Sequence, residues 1–306
     1  MQHCLSRREF IATTALAGLG ALASNCECAE PRAKRPEPII DIHQHTNYTN
    51  RTNADLLSHQ KAMGVTQTIL LPAGSLYGLE ANCTGNQDCY EFANHHPKEY
   101  FFGANEVPDL PGARQELEKY LKLGGIIIAE QKFRVNSDSP AVEMVAEIAQ
   151  EFRVPVLMHF QHETYNLHIG RMHKTLEKFP RVNFIGHAQT WWANIDAKCD
   201  QKTLYPPGPV TPGGLTDKLL TNYPNMFGDL SAGSGLNALN RDEEFTRGFL
   251  ERHQDKLLYG SDCTDSIGCG PGCQGWRTIE TLKRLSPGKK IERKLLYGNA
   301  KKLFRI

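Results

Sequence analysis

The stretch Pro38-Ile39-Ile40-Asp41-Ile42-His43-Gln44-His45 carries an apolar run into a His-x-His pair. Side chains two apart on a β-strand share a face. His43 and His45 therefore project together and can offer neutral imidazole nitrogens to one metal ion. Alone, the pair reads equally well as polar residues opening a loop. Later apolar runs end in the same kind of side chain: Glu130 and Lys132 after Gly-Gly-Ile-Ile-Ile-Ala, His159 after Val-Pro-Val-Leu-Met, His187 after Val-Asn-Phe-Ile-Gly, and Asp262 after Leu-Leu-Tyr-Gly-Ser. Each has a bland reading, as a hydrogen-bonded loop histidine, half of an ion pair, or an Asx-turn at Asp262. Their recurrence is the informative part. Imidazoles and carboxylates converging on a divalent ion make the machinery for activating water. Zinc lowers the pKa of bound water to about 7, provided the protein leaves a coordination position open. A carboxylate at that water, here Asp262, can then carry its proton to a leaving group.

The elements that must bring these groups together alternate. Strands are expected at Ile39–His43, Thr66–Leu71, Tyr100–Asn105, Gly125–Glu130, Val154–His159, Val182–His187, Met226–Leu230 and Lys256–Gly260. Helical patterns lie between them: Asn53–Met63 with an asparagine cap, Gly112–Leu123, a helix opened by Ser139-Pro140 and running through Gln150, Leu167–Phe179, Leu215–Asn222, Asp242–His253 and a closing Lys294–Phe304. Strand–helix alternation implies a parallel sheet. Eight such units predict a single-domain (β/α)8 TIM barrel over residues 38–306, a fold for which about 250 residues is usual. The rival, an open doubly wound sheet, carries a glycine-rich phosphate turn after its first strand, and here that strand ends in His-Gln-His. Barrel catalytic groups sit at the C-terminal ends of strands, where the candidate residues fall.

Composition sets the class. With 306 residues, 40% hydrophobic and 23% charged, the chain is ordinary for a globular protein. A formal net charge of +1 gives no electrostatic reason to expect a nucleic acid or an anionic membrane as partner. The N-terminus reads as a twin-arginine signal over residues 1–29: Ser6-Arg7-Arg8-Glu9-Phe10 precedes a small, apolar run from Ala12 to Ala23, with cleavage expected after Ala23. That run is too short for a membrane span. Residues 30–37 read as a Pro-rich, charged linker. The protein is thus expected to engage the twin-arginine export machinery and to work in the periplasm or outside the cell. Nine cysteines fit an oxidising compartment. Cys83 with Cys89, and Cys269 with Cys273, are candidate disulfides. Cys263, Cys269 and Cys273 are alternatively part of a thiolate metal site, although no fourth ligand has suitable spacing.

The set Asp41-Ile-His43-Gln-His45, Leu-Met-His159, Ile-Gly-His187 and Tyr-Gly-Ser-Asp262 resembles the amidohydrolase superfamily, and more narrowly its amidohydrolase-related group of metal-dependent hydrolases and decarboxylases. The segment Tyr297-Gly298-Asn299-Ala300-Lys301-Lys302-Leu303-Phe304 is similar to that group's closing helix. The resemblance implies a divalent ion, expected to be zinc, held by His43, His45 and His159 with Asp262 at its water. It implies that His187 polarises water or substrate with one ion present, or binds a second. It also implies a fourth-strand bridge between two ions, for which Glu130 is preferred to Lys132. The implied activity is attack of metal-bound hydroxide on an ester, lactone, amide or similar bond of a small polar substrate. The alternatives are a metal-dependent non-oxidative decarboxylase and a non-catalytic metal-containing metabolite-binding protein. Gln161, His162, Tyr165, Gln189, Trp191 and Trp192 read first as loop packing, with lining of the mouth the alternative; Arg134 reads equally as a carboxylate binder or a surface arginine, and Thr190–Gly214 as a long loop able to act as a lid.

Overall fold

The computed structural model describes residues 37–74 and 83–306. The expected signal peptide, and all of the linker but Glu37, lie outside the described residues. Eight strands follow in chain order: β1 (Ile40–Gln44), β2 (Gln67–Leu70), β3 (Tyr100–Phe102), β4 (Ile128–Gln131), β5 (Val156–His159), β6 (Phe184–His187), β7 (Met226–Asp229) and β8 (Leu257–Leu258). Every strand pairing is parallel. All eight expected strands are present within a few residues of their expected bounds.

The helices are α1 (Asn53–Ala62), α2 (Asn86–His95), α3 (Ala113–Lys122), α4 (Pro140–Phe152), α5 (Met172–Lys178), α6 (Gln189–Ala193), α7 (Leu215–Asn222), α8 (Ala232–Asn240), α9 (Glu243–Arg252), α10 (Gln274–Leu285), α11 (Lys289–Arg293) and, after a π turn over Lys294–Gly298, α12 (Asn299–Phe304). Local chemistry starts several of them. Pro140 opens α4, and the Ser139 hydroxyl accepts from the Val142 amide. Asp242 caps α9 through the Phe245 amide. The cap of α1 is Thr52, which accepts from the Asp55 amide, rather than the expected asparagine.

The regular ladder forms two sheets, β1-β2-β3 and β4-β5-β6-β7-β8. Strand number, order and direction are those of an eight-stranded barrel, but continuous closure is not seen. The β3/β4 seam holds by the Ala104↔Ile128 bridge. At the β8/β1 seam Ile42 donates to Tyr259 O (3.1 Å), Asp262 donates to His43 O (2.9 Å), and the Asp41 carboxylate takes the Ser261 amide (2.8 Å) and hydroxyl (2.5 Å).

Two apolar clusters support the strands. One lies inside the ring: Ile40, Ile42, Ile69, Leu71, Ile127, Ala129, Leu157, Ile185 and Leu258, with Ala300 and Phe304 of α12 packed against them. The other fills the space between strands and helices. The inner cluster defines which side chains point inward, and so which strand-end residues can meet.

Candidate metal centre

Counting by twos from the inward residues, Leu157 leads to His159, Ile185 to His187, Leu258 to Asp262, and Phe227 to Asp229. On β1 and β4 the same count leads to Gln44 and Gln131, one residue out of step with the candidates. Those two strands each carry a register shift, between Asp41 and Gln44 and between Ile128 and Gln131. Such irregularities re-aim side chains beside active sites. Here they bring His43, His45 and Glu130 inward.

The six groups singled out by sequence then fall together. His43 Nε2 and His45 Nε2 are 3.2 Å apart. Glu130 Oε2 stands 3.8 Å from the first and 3.7 Å from the second. Asp262 Oδ1 stands 3.8 and 3.5 Å from the same atoms. Tetrahedral donors at a bond length of about 2.1 Å are separated by about 3.4 Å, so this spacing fits a cation at their centre. Asp262 Oδ1 is buried and meets no hydrogen-bond donor at bonding distance among the described residues. A buried carboxylate oxygen without a donor is costly, and a cation at that position would satisfy it.

The other oxygens of both carboxylates face a second side. Glu130 Oε1 lies 2.5 Å from His159 Nδ1 and 3.6 Å from His187 Nε2, and Asp262 Oδ2 lies 3.7 Å from His187 Nε2. The resemblance grouped His159 with His43 and His45. The structure sets it across Glu130, beside His187. Lys132 lies outside both groups, with its ammonium 5.5 Å from the Tyr165 ring centre.

Sequence reasoning missed Asp229. This fully buried carboxylate accepts from His43 Nδ1 (2.7 Å), lies 3.1 Å from His187 Nδ1, and accepts from the Ser231 hydroxyl (2.6 Å). His45 Nδ1 donates to Leu71 O at 2.6 Å. With Nδ1 so engaged, His43, His45 and His187 each keep Nε2 free for a ligand, the role that outer partners play around metals. Gly260 makes room for this: a Cβ there would meet Asp229 Oδ1 at 2.5 Å and His43 Cβ at 2.9 Å.

Charge follows the same geometry. Burial opposes ionisation of Glu130, but His159 and His43 outweigh it and hold the carboxyl well below its usual range. Burial likewise opposes the charged forms of Asp229 and Asp262, and neighbouring imidazoles bring both below the ordinary value. Burial disfavours the His43 cation, yet Asp262 and Asp229 raise it well above the usual imidazole value. For His45, Cys83 and Asp262 outweigh burial and hold it up at about 10. His159 goes the other way, since burial lowers it more than Glu130 raises it. Burial and the Asp262 and Glu130 carboxylates push the Tyr48 phenol upward, so it stays a neutral donor.

The cluster floors a cavity of about 290 Å³, whose lining includes Tyr48, Lys132, Gln189, Tyr205, Thr264 and Gln274. Ala188, Ala232 and Asp262 all have positive φ (80°, 64° and 44°) at this mouth. Such backbone strain is characteristic of functional sites. A larger cavity of about 720 Å³, lined by Arg134, Gln161 and His162, carries none of the donor residues. Arg134 there donates to Glu163 O at 2.8 Å. Trp191 and Trp192 are buried in the core instead of lining the mouth, and Trp192 Nε1 donates to Asp229 O. Of the long loop, Tyr205 reaches the mouth, where Gln189 donates to its hydroxyl (3.3 Å). Neither candidate disulfide is formed: Cys83, Cys89, Cys269 and Cys273 are free, Cys269 is exposed, and the Cys273 sulfur faces Cys263.

Parallel strands alternating with helices, and imidazoles and carboxylates gathered at their C-terminal ends, define a fold of the TIM-barrel type with a candidate metal site. The profile of the amidohydrolase family matches residues 79–306, and the chain belongs to that family. No curated protein matches it. Among solved structures it is similar to an uncharacterized TIM-barrel protein from Bordetella bronchiseptica (16% identity, 88% of this chain and 98% of that one, TM-score 0.63). It is also similar to a probable 2-pyrone-4,6-dicarboxylic acid hydrolase from Acinetobacter baumannii (13%, 88% and 99%, 0.61). A third is a 2,6-dihydroxybenzoate decarboxylase (14%, 88% and 100%, 0.57). At these identities the likeness is one of fold.

Proposed function

We propose that this protein is a metal-dependent hydrolase acting on an ester, lactone, amide or similar bond of a small polar molecule. The observation that carries the reading is Asp262 Oδ1, a buried oxygen without a donor, facing His43 and His45 at the floor of a small polar cavity. A divalent cation held by His43, His45, Glu130 and Asp262 supplies, when bound, Lewis-acid activation of water and of a carbonyl. Each carboxylate divides its oxygens between two sides. That supports a second, adjacent ion position served by Glu130, His159 and His187. Imidazole and carboxylate donors suit zinc.

The remaining steps belong to side chains. Asp262, 12% exposed at the mouth, takes a proton from the attacking water and delivers it to the leaving group. Tyr48 presents a neutral O–H to the substrate from beside His45, their ring centres 4.7 Å apart. Lys132 is the one lysine or arginine among the described residues lining the mouth, so it holds an anionic substituent of the substrate. Arginines aimed at a substrate carboxylate would favour decarboxylation; among the described residues none lines the mouth, and Arg134 donates to Glu163 O instead. We also propose export by the twin-arginine route, which cell fractionation of the full chain tests.

The test of the reaction is a screen of lactones, esters, amides and aryl carboxylates with metal-loaded protein. Turnover of one of the first three is expected, with Asp262→Asn slower by about 10²–10⁴-fold and the circular dichroism unchanged. Turnover of aryl carboxylates alone would replace this reading with decarboxylation. Full activity in metal-free, chelator-treated protein would end it.

A further inference from the structure

Behind the mouth, where the segment after β8 passes between α1 and α10, lies a second group of ligand atoms. We propose that His59, Cys263 and Cys273, with Asp265, bind a structural tetrahedral divalent cation of the zinc type. Cys263 Sγ and Cys273 Sγ are 3.7 Å apart, and His59 Nε2 is 3.4 Å from Cys273 Sγ. Zinc bonds of about 2.3 Å to sulfur and about 2.05 Å to nitrogen, at tetrahedral angles, place two sulfurs about 3.8 Å apart and a sulfur–nitrogen pair about 3.5 Å apart. Those two separations match, and the ligand atoms of all three residues lie within 4.8 Å of one another. All three are buried. Asp265, with a side chain 19% exposed, stands beside the group: its Oδ2 lies 4.0 Å from His59 Nε2 and accepts the Ile267 and Gly268 amides (3.0 and 2.7 Å), and its carboxylate is the proposed fourth donor.

A structural alternative leaves a cost unanswered. The His59 imidazole is fully buried, its Nδ1 has no partner among the described residues, and its Nε2 faces sulfur. A thiol sulfur is a weak partner for a buried ring nitrogen, and ligation of Nε2 would give that atom a strong one. The Cys273 sulfur also receives the backbone amide of Trp276 at the start of α10 (3.4 Å). Amide donors stabilise thiolates, the form that binds metal. On binding, the two S–H protons pass to solvent. A disulfide would instead need the sulfurs to close from 3.7 Å to about 2.05 Å and would leave His59 unanswered.

The cation would rivet the segment that follows Asp262 to the helix that follows His43 and His45. It lies apart from the catalytic reading and can fail without it. The test is cobalt(II) substitution of the full protein. The mouth offers nitrogen and oxygen donors, so a near-ultraviolet thiolate-to-cobalt charge-transfer band reports the second group. The band is expected in the wild type. It should survive Cys83→Ser, since that thiol lies beside His45, and vanish in Cys273→Ser. X-ray absorption of the zinc-loaded wild type, which needs no variant, should show sulfur scatterers. A wild type with no band and no sulfur scattering overturns the proposal. So does a band lost with Cys83→Ser, or a Cys263–Cys273 disulfide found by thiol alkylation and peptide mapping.

Discussion

Asp229→Asn is the most searching perturbation of the mouth. The carboxylate is fully buried; Oδ2 faces the Nδ1 atoms of His43 and His187 and the Ser231 hydroxyl, and Oδ1 accepts the Ser231 amide at 3.0 Å. The variant keeps the volume, removes the charge and introduces an amide nitrogen that cannot accept. One carbonyl oxygen must then serve donors that now share a carboxylate. Loss of one outer partner of a ligating histidine lowers metal affinity about 10–100-fold, which is about 1.4–2.7 kcal/mol. Because two imidazoles lean on Asp229, the upper end is expected. The assay is competition of metal-free wild type and variant against a chromophoric chelator at one pH and salt, beside thermal unfolding of each metal-free form. A loss of affinity of at least about tenfold with the fold intact supports the reasoning. An unchanged affinity in a folded variant refutes the claim that Asp229 orients the ligands.

The metal-free protein should lose stability as pH rises: His45 titrates near 6.5 unfolded and about 10 folded, so its contribution is complete below about 6.5 and disappears as pH climbs through about 10. The depressed carboxyls Glu130, Asp229 and Asp262 act at the other end, contributing above their unfolded values and losing that contribution in acid. Thermal scans across pH, with and without chelator, check this, and a flat metal-free profile would contradict it. Trp191→Ala should cost about 3–5 kcal/mol in chemical denaturation while leaving KM unchanged, since the ring is a core member and not a ligand platform. Lys132→Met should raise KM for an anionic substrate by about 10–100-fold and leave a neutral analogue unaffected. Equal effects on both would remove Lys132 from recognition.

Much of this architecture was legible because barrel strands end where chemistry begins. His159, His187 and Asp262 continue the inward phase set by Leu157, Ile185 and Leu258, so spacing alone places them. Asp229 obeys the same rule from Phe227 and was hidden only by its position inside the apolar run Met226–Leu230. His43, His45 and Glu130 reach the centre through register shifts, which period-two counting does not foresee. The helices that escaped notice have weak punctuation. Cys273 caps α10 with sulfur, outside the usual oxygen caps. In α8, Ala-Gly-Ser-Gly reads as a loop, yet its small residues let the helix pack closely, and a Cβ at Gly235 would strike Leu230 O. The tryptophans read as packing or as a ligand platform, because sequence does not say which face of a short helix is covered.

The β8/β1 seam has a mechanical consequence. There the ends of the sheet are tied by Asp41 to Ser261 and by His43 to Asp262, the residues that flank or form the reactive floor. Of the hoop's two joints, this one coincides with the workplace. Substitutions at Asp41 or Ser261 would therefore loosen the joint and disturb the reactive floor together.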